Sequence, residues 1–239
     1  MSLTSSYHEK SDDLRDSRIP GVVLFDVNET LSDMGPMAAR FVDVGAPAHL
    51  AATWFASLLR DGFALTAAGG TAPFARIGAG ALRVALQGRL LNRSVEEGIA
   101  HIMGGFAELN VHDDVRDGVP ALAALGSRLV TLSNGATAVA EQLLARAGIR
   151  DVFERLLSVE DAGTWKPASA AYAYAATQCD VAPEDMMLIA VHPWDIDGAQ
   201  RAGLRTAWIN RTGATYPDYF HRATLEAASM TDLAELLHT

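Results

Sequence analysis

An α/β fold is predicted: a Rossmann-like parallel sheet, interrupted after its first strand by an all-helical insert. Three observations predict it. From about residue 112 onward, short aliphatic runs alternate with helical patterns, the signature of βαβ units and a parallel sheet. The run "VVLF" at 22–25 stands apart from these and reads as one more buried strand. Between them, residues 36–107 are rich in Ala and Leu at helical spacing and carry no strand signal. The expected division is a loose N-terminal arm over 1–19, a core formed by 20–35 and 108–239, and a helical cap over 36–107.

Each element has a local reason. In the insert, "PMAARFVDVG", "APAHLAATWFASLLRDGF", "PFARIGAGALRVALQGRLL" and "SVEEGIAHIMGGFAEL" are four helical segments separated by Gly, Pro or Asn. "TAAGG" at 66–70 reads as a mobile loop between two of them. In the core, helix "GVPALAALG" leads to strand "RLVTLS", and helix "ATAVAEQLLARAG" to a short strand "ERLLS". Helix "ASAAYAYAATQC" then precedes strand "MMLIAV", and helix "WDIDGAQRAG" precedes strand "RTAWIN". A last helix, "MTDLAELLH", closes the chain.

Composition narrows the function classes. With 239 residues, 49% hydrophobic and 20% charged, the chain can bury a full core. No apolar run approaches the roughly 20 residues that span a bilayer. The polar stretch at 1–18 has no hydrophobic segment of the signal-peptide kind. The single cysteine, Cys179, excludes an intrachain disulfide and a cysteine-based zinc site, and a cytoplasmic setting is expected. A net charge of −10 argues against general affinity for nucleic acid or anionic membrane. It leaves local binding of a small anion open, because distant charges are screened over about 8–10 Å.

The chemistry-bearing residues fall where strands end, which is where open α/β sheets bind ligands. Asp26 follows the first strand, in "VVLFDVNET"; alone it could as well cap the next turn. Ser133 and Asn134 follow "RLVTL" and precede a helix expected from Ala136, so they suit either an anion or an ordinary helix cap. Lys166 stands before Pro167, a good first helical residue; lone loop lysines are usually solvated. His192, Trp194 and Asp195 follow "MMLIAV", where Asp195 and Asp197 also suit a helix's first turn. No single alternative explains the whole ordered set.

That order, Asp, then Ser-Asn, then Lys-Pro, then Asp, is similar to the haloacid dehalogenase-like superfamily. Over nearly all of 20–239 the chain resembles its (S)-2-haloacid, or type II, dehalogenases. The resemblance implies that Asp26 is a nucleophile, which displaces halide to form an ester that water then hydrolyses. It implies active-site positions at Thr30, Ser133, Asn134, Lys166, Tyr172 and Asp195. Lys166 would hold Asp26 ionised, while Thr30, Ser133 and Asn134 would orient it or a substrate carboxylate. Asp195 would pair with Lys166 and position or activate the water. No metal or organic cofactor is implied. Asn28 replaces the second Asp of the superfamily's phosphatases, and Val191 replaces an acidic magnesium ligand.

Other positions depart from the dehalogenases themselves. An ungapped comparison of the cap puts Phe55 where the family has a halide-binding Arg, and Phe74 at a pocket aromatic. Ala190 stands for Ser, and His192 for Asn. As a neutral imidazole beside Asp195, His192 could activate the ester-cleaving water, or it could simply fill the Asn slot. Asn28, Asn134, Tyr172, Phe55, Phe74 and Trp194 are the expected substrate-binding set. The alternatives are a C–N-cleaving hydrolase of the same group (azetidine-carboxylate type), a phosphatase, and a non-catalytic small-anion binder. Helix-rich surfaces such as "LAATWFASLL" leave a homodimer open, as in the family.

Overall fold

The computed structural model describes residues 19–238; the expected N-terminal arm lies outside them except for Ile19. Six strands form one sheet: β1 Val22–Phe25, β2 Arg128–Ser133, β3 Phe153–Ser158, β4 Met186–Ala190, β5 Arg205–Ile209 and β6 Leu225–Ala227. All pairs are parallel, in the order β3-β2-β1-β4-β5-β6. The chain fills one side of β1 with β2 and β3, then crosses to the other side with β4. The topological switch therefore lies between β1 and β4, and such crevices are where this class of sheet binds ligands.

Alternation along β1 builds both faces of the core. Val22 and Leu24 point to one apolar cluster, Val23 and Phe25 to the other, as the two-residue period of a strand requires. Four helices make up the stretch 36–107 after β1: α1 Met37–Asp43, α2 Leu50–Ala67, α3 Phe74–Leu86 and α4 Val95–Ala107. Ser94 and Glu97 form a reciprocal capping box at the start of α4. Six more α-helices follow, α5 Val115–Ala124, α6 Thr137–Ala147, α7 Val159–Ala162, α8 Ser169–Cys179, α9 Pro193–Arg201 and α10 Met230–His238, with short 3-10 turns at Arg150–Val152 and Pro183–Asp185. Among the described residues, no helix is long and apolar enough to cross a membrane.

Several local expectations need correction. "TAAGG" is not wholly a loop, because α2 continues to Ala67 before a turn through Gly69, whose φ is +77°. Pro167 is not the first helical residue. The Ala168 N–H closes a turn onto the Trp165 carbonyl, and α8 starts only at Ser169. Strand β6 and the four-residue α7 are too short to carry a periodic signal. Within "LAATWFASLL", Trp54, Phe55 and Leu58 turn inward and are buried in this chain's own core, while Ala52 and Ala56 are exposed.

The helices of 36–107 share one continuous apolar cluster with a face of the sheet, joined through aromatic side chains. Phe74 stacks on Trp165 at 5.9 Å, and the Trp165 indole N–H donates to the Ala72 carbonyl at 3.1 Å. Gly62 of α2 makes this contact feasible, because a Cβ there would sit 2.3 Å from the Trp165 ring. Gly62→Ala is therefore expected to destabilise by about 1–3 kcal/mol through overpacking. Urea denaturation should show the deficit, and Trp165→Leu in the same chain should relieve part of it.

Candidate active site

The switch crevice gathers its residues from separate strand ends. Asp26 is the first residue after β1, with its N–H held by the Ile189 carbonyl of β4 at 3.1 Å. The tight turn after it places Thr30 so that its hydroxyl donates to Asp26 Oδ2 at 2.6 Å. The same oxygen of Thr30 accepts the Val191 N–H at 3.1 Å, tying that turn to the end of β4. Lys166 arrives from the turn before α8. Its Nζ donates to Asp26 Oδ1 at 2.9 Å and to Asp195 Oδ2 at 2.6 Å. Lys166 and Asp195 are fully buried, and Asp26 is 4% exposed.

Burying two carboxylates and one ammonium demands mutual compensation. Burial alone would raise the Asp26 pKa, but Lys166, His192 and Thr30 overcome it and hold the carboxyl well below the usual range. Burial likewise works against the Lys166 charge, and the charges of Asp195 and Asp26 more than restore it. Asp195 goes the other way: its burial, with Asp26 nearby, outweighs Lys166 and raises its pKa. The result is one firmly ionised carboxylate beside one that accepts a proton more readily.

The remaining expected residues are placed as follows. Tyr172, expected at the substrate, is fully buried and donates its hydroxyl to Asp195 Oδ1 at 2.5 Å. Burial and Asp195 push its pKa well up, which keeps the phenol a donor. Asn134, expected to orient Asp26 or substrate, clamps the backbone of Lys166. Its Oδ1 accepts the Lys166 N–H at 3.0 Å and its Nδ2 donates to the Lys166 carbonyl at 3.4 Å. Ser133 Oγ accepts the Gly135 N–H at 2.9 Å, within its own turn. A Cβ on Gly135 would lie 3.9 Å from both Asn28 Nδ2 and Phe74 Cγ, so these two flank the turn. Phe55 packs against Phe74 and Trp54, inside the aromatic cluster.

His192 differs most from expectation. Its partner is not Asp195: Nδ1 lies 3.2 Å from Asp26 Oδ2, and Nε2 lies 2.7 Å from Glu29 Oε2. Burial would lower its pKa, but the bonds to Asp26 and Glu29 prevail and push it up to about 9. A cationic ring at neutral pH is no general base. Trp194 stacks on that ring at 4.9 Å and meets Phe63 of α2 edge-on at 4.9 Å. Glu29 went unread in the sequence. Its only signal was the acidic residue inside "DVNET", and its backbone φ of +63° is not visible from composition.

A divalent cation does not suit this donor set. The Lys166 ammonium already lies at one oxygen of Asp26, and donors converge on the other. Val191, at the position the phosphatases use for a ligand, has an apolar side chain with no atom to coordinate a hard cation. Among the described residues, no group of three or more His, Cys, Asp or Glu is arranged to hold a metal ion.

A parallel sheet in this order, with a buried strand-end Asp paired to a loop Lys at its switch point, defines a Rossmann-like α/β core with a carboxylate–ammonium site. The chain belongs to the haloacid dehalogenase-like hydrolases, whose family model matches residues 20–203. It is 32% identical over 113 residues to haloacetate dehalogenase H-2 of Moraxella sp. (strain B). That match covers 47% of this chain and only half the length of the relative. It is 27% identical to (S)-2-haloacid dehalogenase 1 of Pseudomonas sp. (strain CBS-3), across 90% of this chain and 95% of that enzyme. A crystal structure of an L-2-haloacid dehalogenase superposes with a TM-score of 0.86 at 27% identity, covering 93% of this chain and all of the other.

Two measurements test these electrostatics. Lys166→Met leaves two buried carboxylates unneutralised, and at pH 7 it should cost about 3–5 kcal/mol in chemical denaturation. Adding Asp195→Asn should recover part of that loss. For His192, the folded pKa is raised from 6.5 to about 9, so its stabilisation is complete below 6.5 and lost as pH rises through 9. The stability advantage of the wild type over His192→Asn should shrink across that window; a constant difference would contradict the pairing.

Proposed function

We propose that this chain is a hydrolase of the 2-haloacid dehalogenase type, cleaving a small 2-substituted carboxylate through an ester on Asp26. The observation that carries this reading is the Lys166 ammonium shared by Asp26 and Asp195 at the switch crevice. A carboxylate held fully ionised at neutral pH is a competent nucleophile. Asp26 Oδ1 attacks the carbon bearing the leaving group, which departs with the bonding pair. Water then adds to Cγ of the ester, and its proton passes to Asp195, whose raised pKa suits it to accept. Collapse breaks the Cγ–Oδ1 bond, the product alkoxide takes that proton back, and the water's second proton leaves the Asp26 carboxyl for solvent, which restores the carboxylate. No metal enters any of these steps.

The helices of 36–107 serve in this reading as the cap over the core, the division expected from the sequence. Phe74 above the Ser133–Gly135 turn, with Phe63 against Trp194, supports a dry lid. Ser133, Asn28 and the turn backbone are the groups available to a substrate carboxylate, while Tyr172 and Asn134 act at one remove. A second reading keeps the machinery but expels nitrogen, as a C–N-cleaving hydrolase of the same group. Phe55 favours it, because an aromatic ring packed on Phe74 offers no guanidinium to a departing halide. A single, buried thiol at Cys179 fits a cytoplasmic setting.

A screen of chloro-, bromo- and fluoroacetate and both 2-chloropropionates, with azetidine-2-carboxylate and a phosphatase panel alongside, separates these readings. Halide release abolished by Asp26→Ala and unaffected by EDTA is the expected result. Ring opening without halide release would select the second reading, and turnover dependent on magnesium would overturn both.

A further inference from the structure

His192 and Glu29 form a pair that the reaction steps above do not use. Both ring nitrogens of His192 face carboxylate oxygens, Asp26 Oδ2 on one side and Glu29 Oε2 on the other. An ionised carboxylate only accepts hydrogen bonds, so a ring satisfied on both sides carries a proton on each nitrogen. With both carboxylates ionised, this geometry holds the ring as an imidazolium.

The surroundings fix this pair in place. Glu29 holds a φ of +63°, which is uncommon for a residue with a side chain. Its N–H donates to Ser32 Oγ at 3.2 Å, and its carbonyl faces His112 Nε2 at 2.9 Å. Trp194 stacks on the His192 ring and sets its plane. The donors to Asp26 are unevenly shared. Oδ2 faces both Thr30 and His192, whereas Oδ1 faces only Lys166, which Asp195 also engages. Oδ1 is thus the freer oxygen for attack, and Oδ2 is the one that becomes the ester carbonyl.

Building on the aspartyl-ester reading, we propose that Glu29 is a positioning residue for His192. The pair, with Thr30, makes the hole that receives negative charge on Asp26 Oδ2 when water attacks the ester. As the Cγ–O bond to water forms, the carbonyl π pair moves onto Oδ2. The Thr30 O–H and His192 Nδ1–H meet it there, and the pair returns when the Cγ–Oδ1 bond breaks. Preorganised donors at a developing oxyanion act without reorganisation at the moment of reaction. His192 also supplies a second positive charge, so that Asp26 and Asp195 face two cations rather than Lys166 alone.

The groups that set the charge on the ring come from several elements. Asp26 follows β1, Glu29 lies in the next turn, and His112 reaches the Glu29 carbonyl. Lys166 sits across Asp26. Arg211 shares with Glu29, His112 and His192 the walls of an open crevice of about 280 Å³, through which the pair exchanges protons with solvent. Glu29→Gln removes the outer anion and should lower the pH at which His192 deprotonates.

The test combines ring titration by ¹⁵N NMR with single-turnover mass spectrometry on chloroacetate. In the wild type, His192 should remain protonated past pH 8; in Glu29→Gln its midpoint should fall by at least about one pH unit. At pH 8 that variant should accumulate an adduct on the Asp26 peptide. Its ester hydrolysis should be slowed about 10- to 100-fold and largely restored at pH 6, with ester formation unchanged. A wild-type midpoint near 6.5, the free histidine value, or equal slowing of both steps at every pH would overturn the proposal. The titration needs no substrate. If chloroacetate gives no ester, the reaction class fails, while the NMR result still decides whether Glu29 holds His192 charged.

Discussion

Lys166 places an ammonium with no exposed surface between two carboxylates that come from opposite sides of the sheet's switch point. Each of the three would be prohibitively costly to bury alone, and together they are tolerated because every charge has a partner within 3 Å. The arrangement dictates much else around it. Asn134 holds the Lys166 backbone from both its N–H and its carbonyl, and Tyr172 occupies the free oxygen of Asp195. Gly198 has no side chain because a Cβ would meet the Pro167 carbonyl and the Tyr172 hydroxyl, both at 2.8 Å. Residues that touch no reacting atom are therefore fixed by the ion cluster as firmly as those that do.

One cation divided between two carboxylates also separates their roles. Asp26 gains Thr30 and His192 in addition to Lys166 and stays ionised. Asp195 is the more deeply buried, and its pKa rises. Two chemically identical groups a few ångströms apart thus become one firmly ionised carboxylate and one that protonates more readily, through environment alone; the proposed reaction uses them as nucleophile and proton acceptor. His192 adds to the asymmetry, since of the two aspartates its ring contacts Asp26 and not Asp195.

Much of this was legible in the sequence because the signals are local and repetitive. The strands "RLVTLS" and "MMLIAV" and the closing helix "MTDLAELLH" announce themselves by pattern, and strand ends are where an α/β sheet displays its chemistry. Asp26, Thr30, Lys166 and Asp195 could be read because they occupy those ends in order. Contacts across the fold could not. Nothing in the order of residues tells that Asn134 grips the backbone of Lys166. Nor does it tell that His192 turns to Asp26 and Glu29 instead of to Asp195, three positions away. That choice depends on the left-handed backbone at Glu29, which is uncommon for a residue with a side chain and which composition does not encode. The strand β6, three residues long, is likewise set by its pairing with β5 rather than by its own sequence.

The central claim is that Asp26 itself becomes esterified and is then released by attack at its own carbonyl carbon. A single turnover in H₂¹⁸O, with enzyme in excess over the cleaved substrate, tests this most directly. The account predicts that the hydroxyl of the first product carries ordinary oxygen donated by Asp26, and that ¹⁸O appears in the peptide containing Asp26. Product labelled with ¹⁸O in that first turnover, with an unlabelled Asp26 peptide, would mean that water attacks the substrate directly and would contradict it.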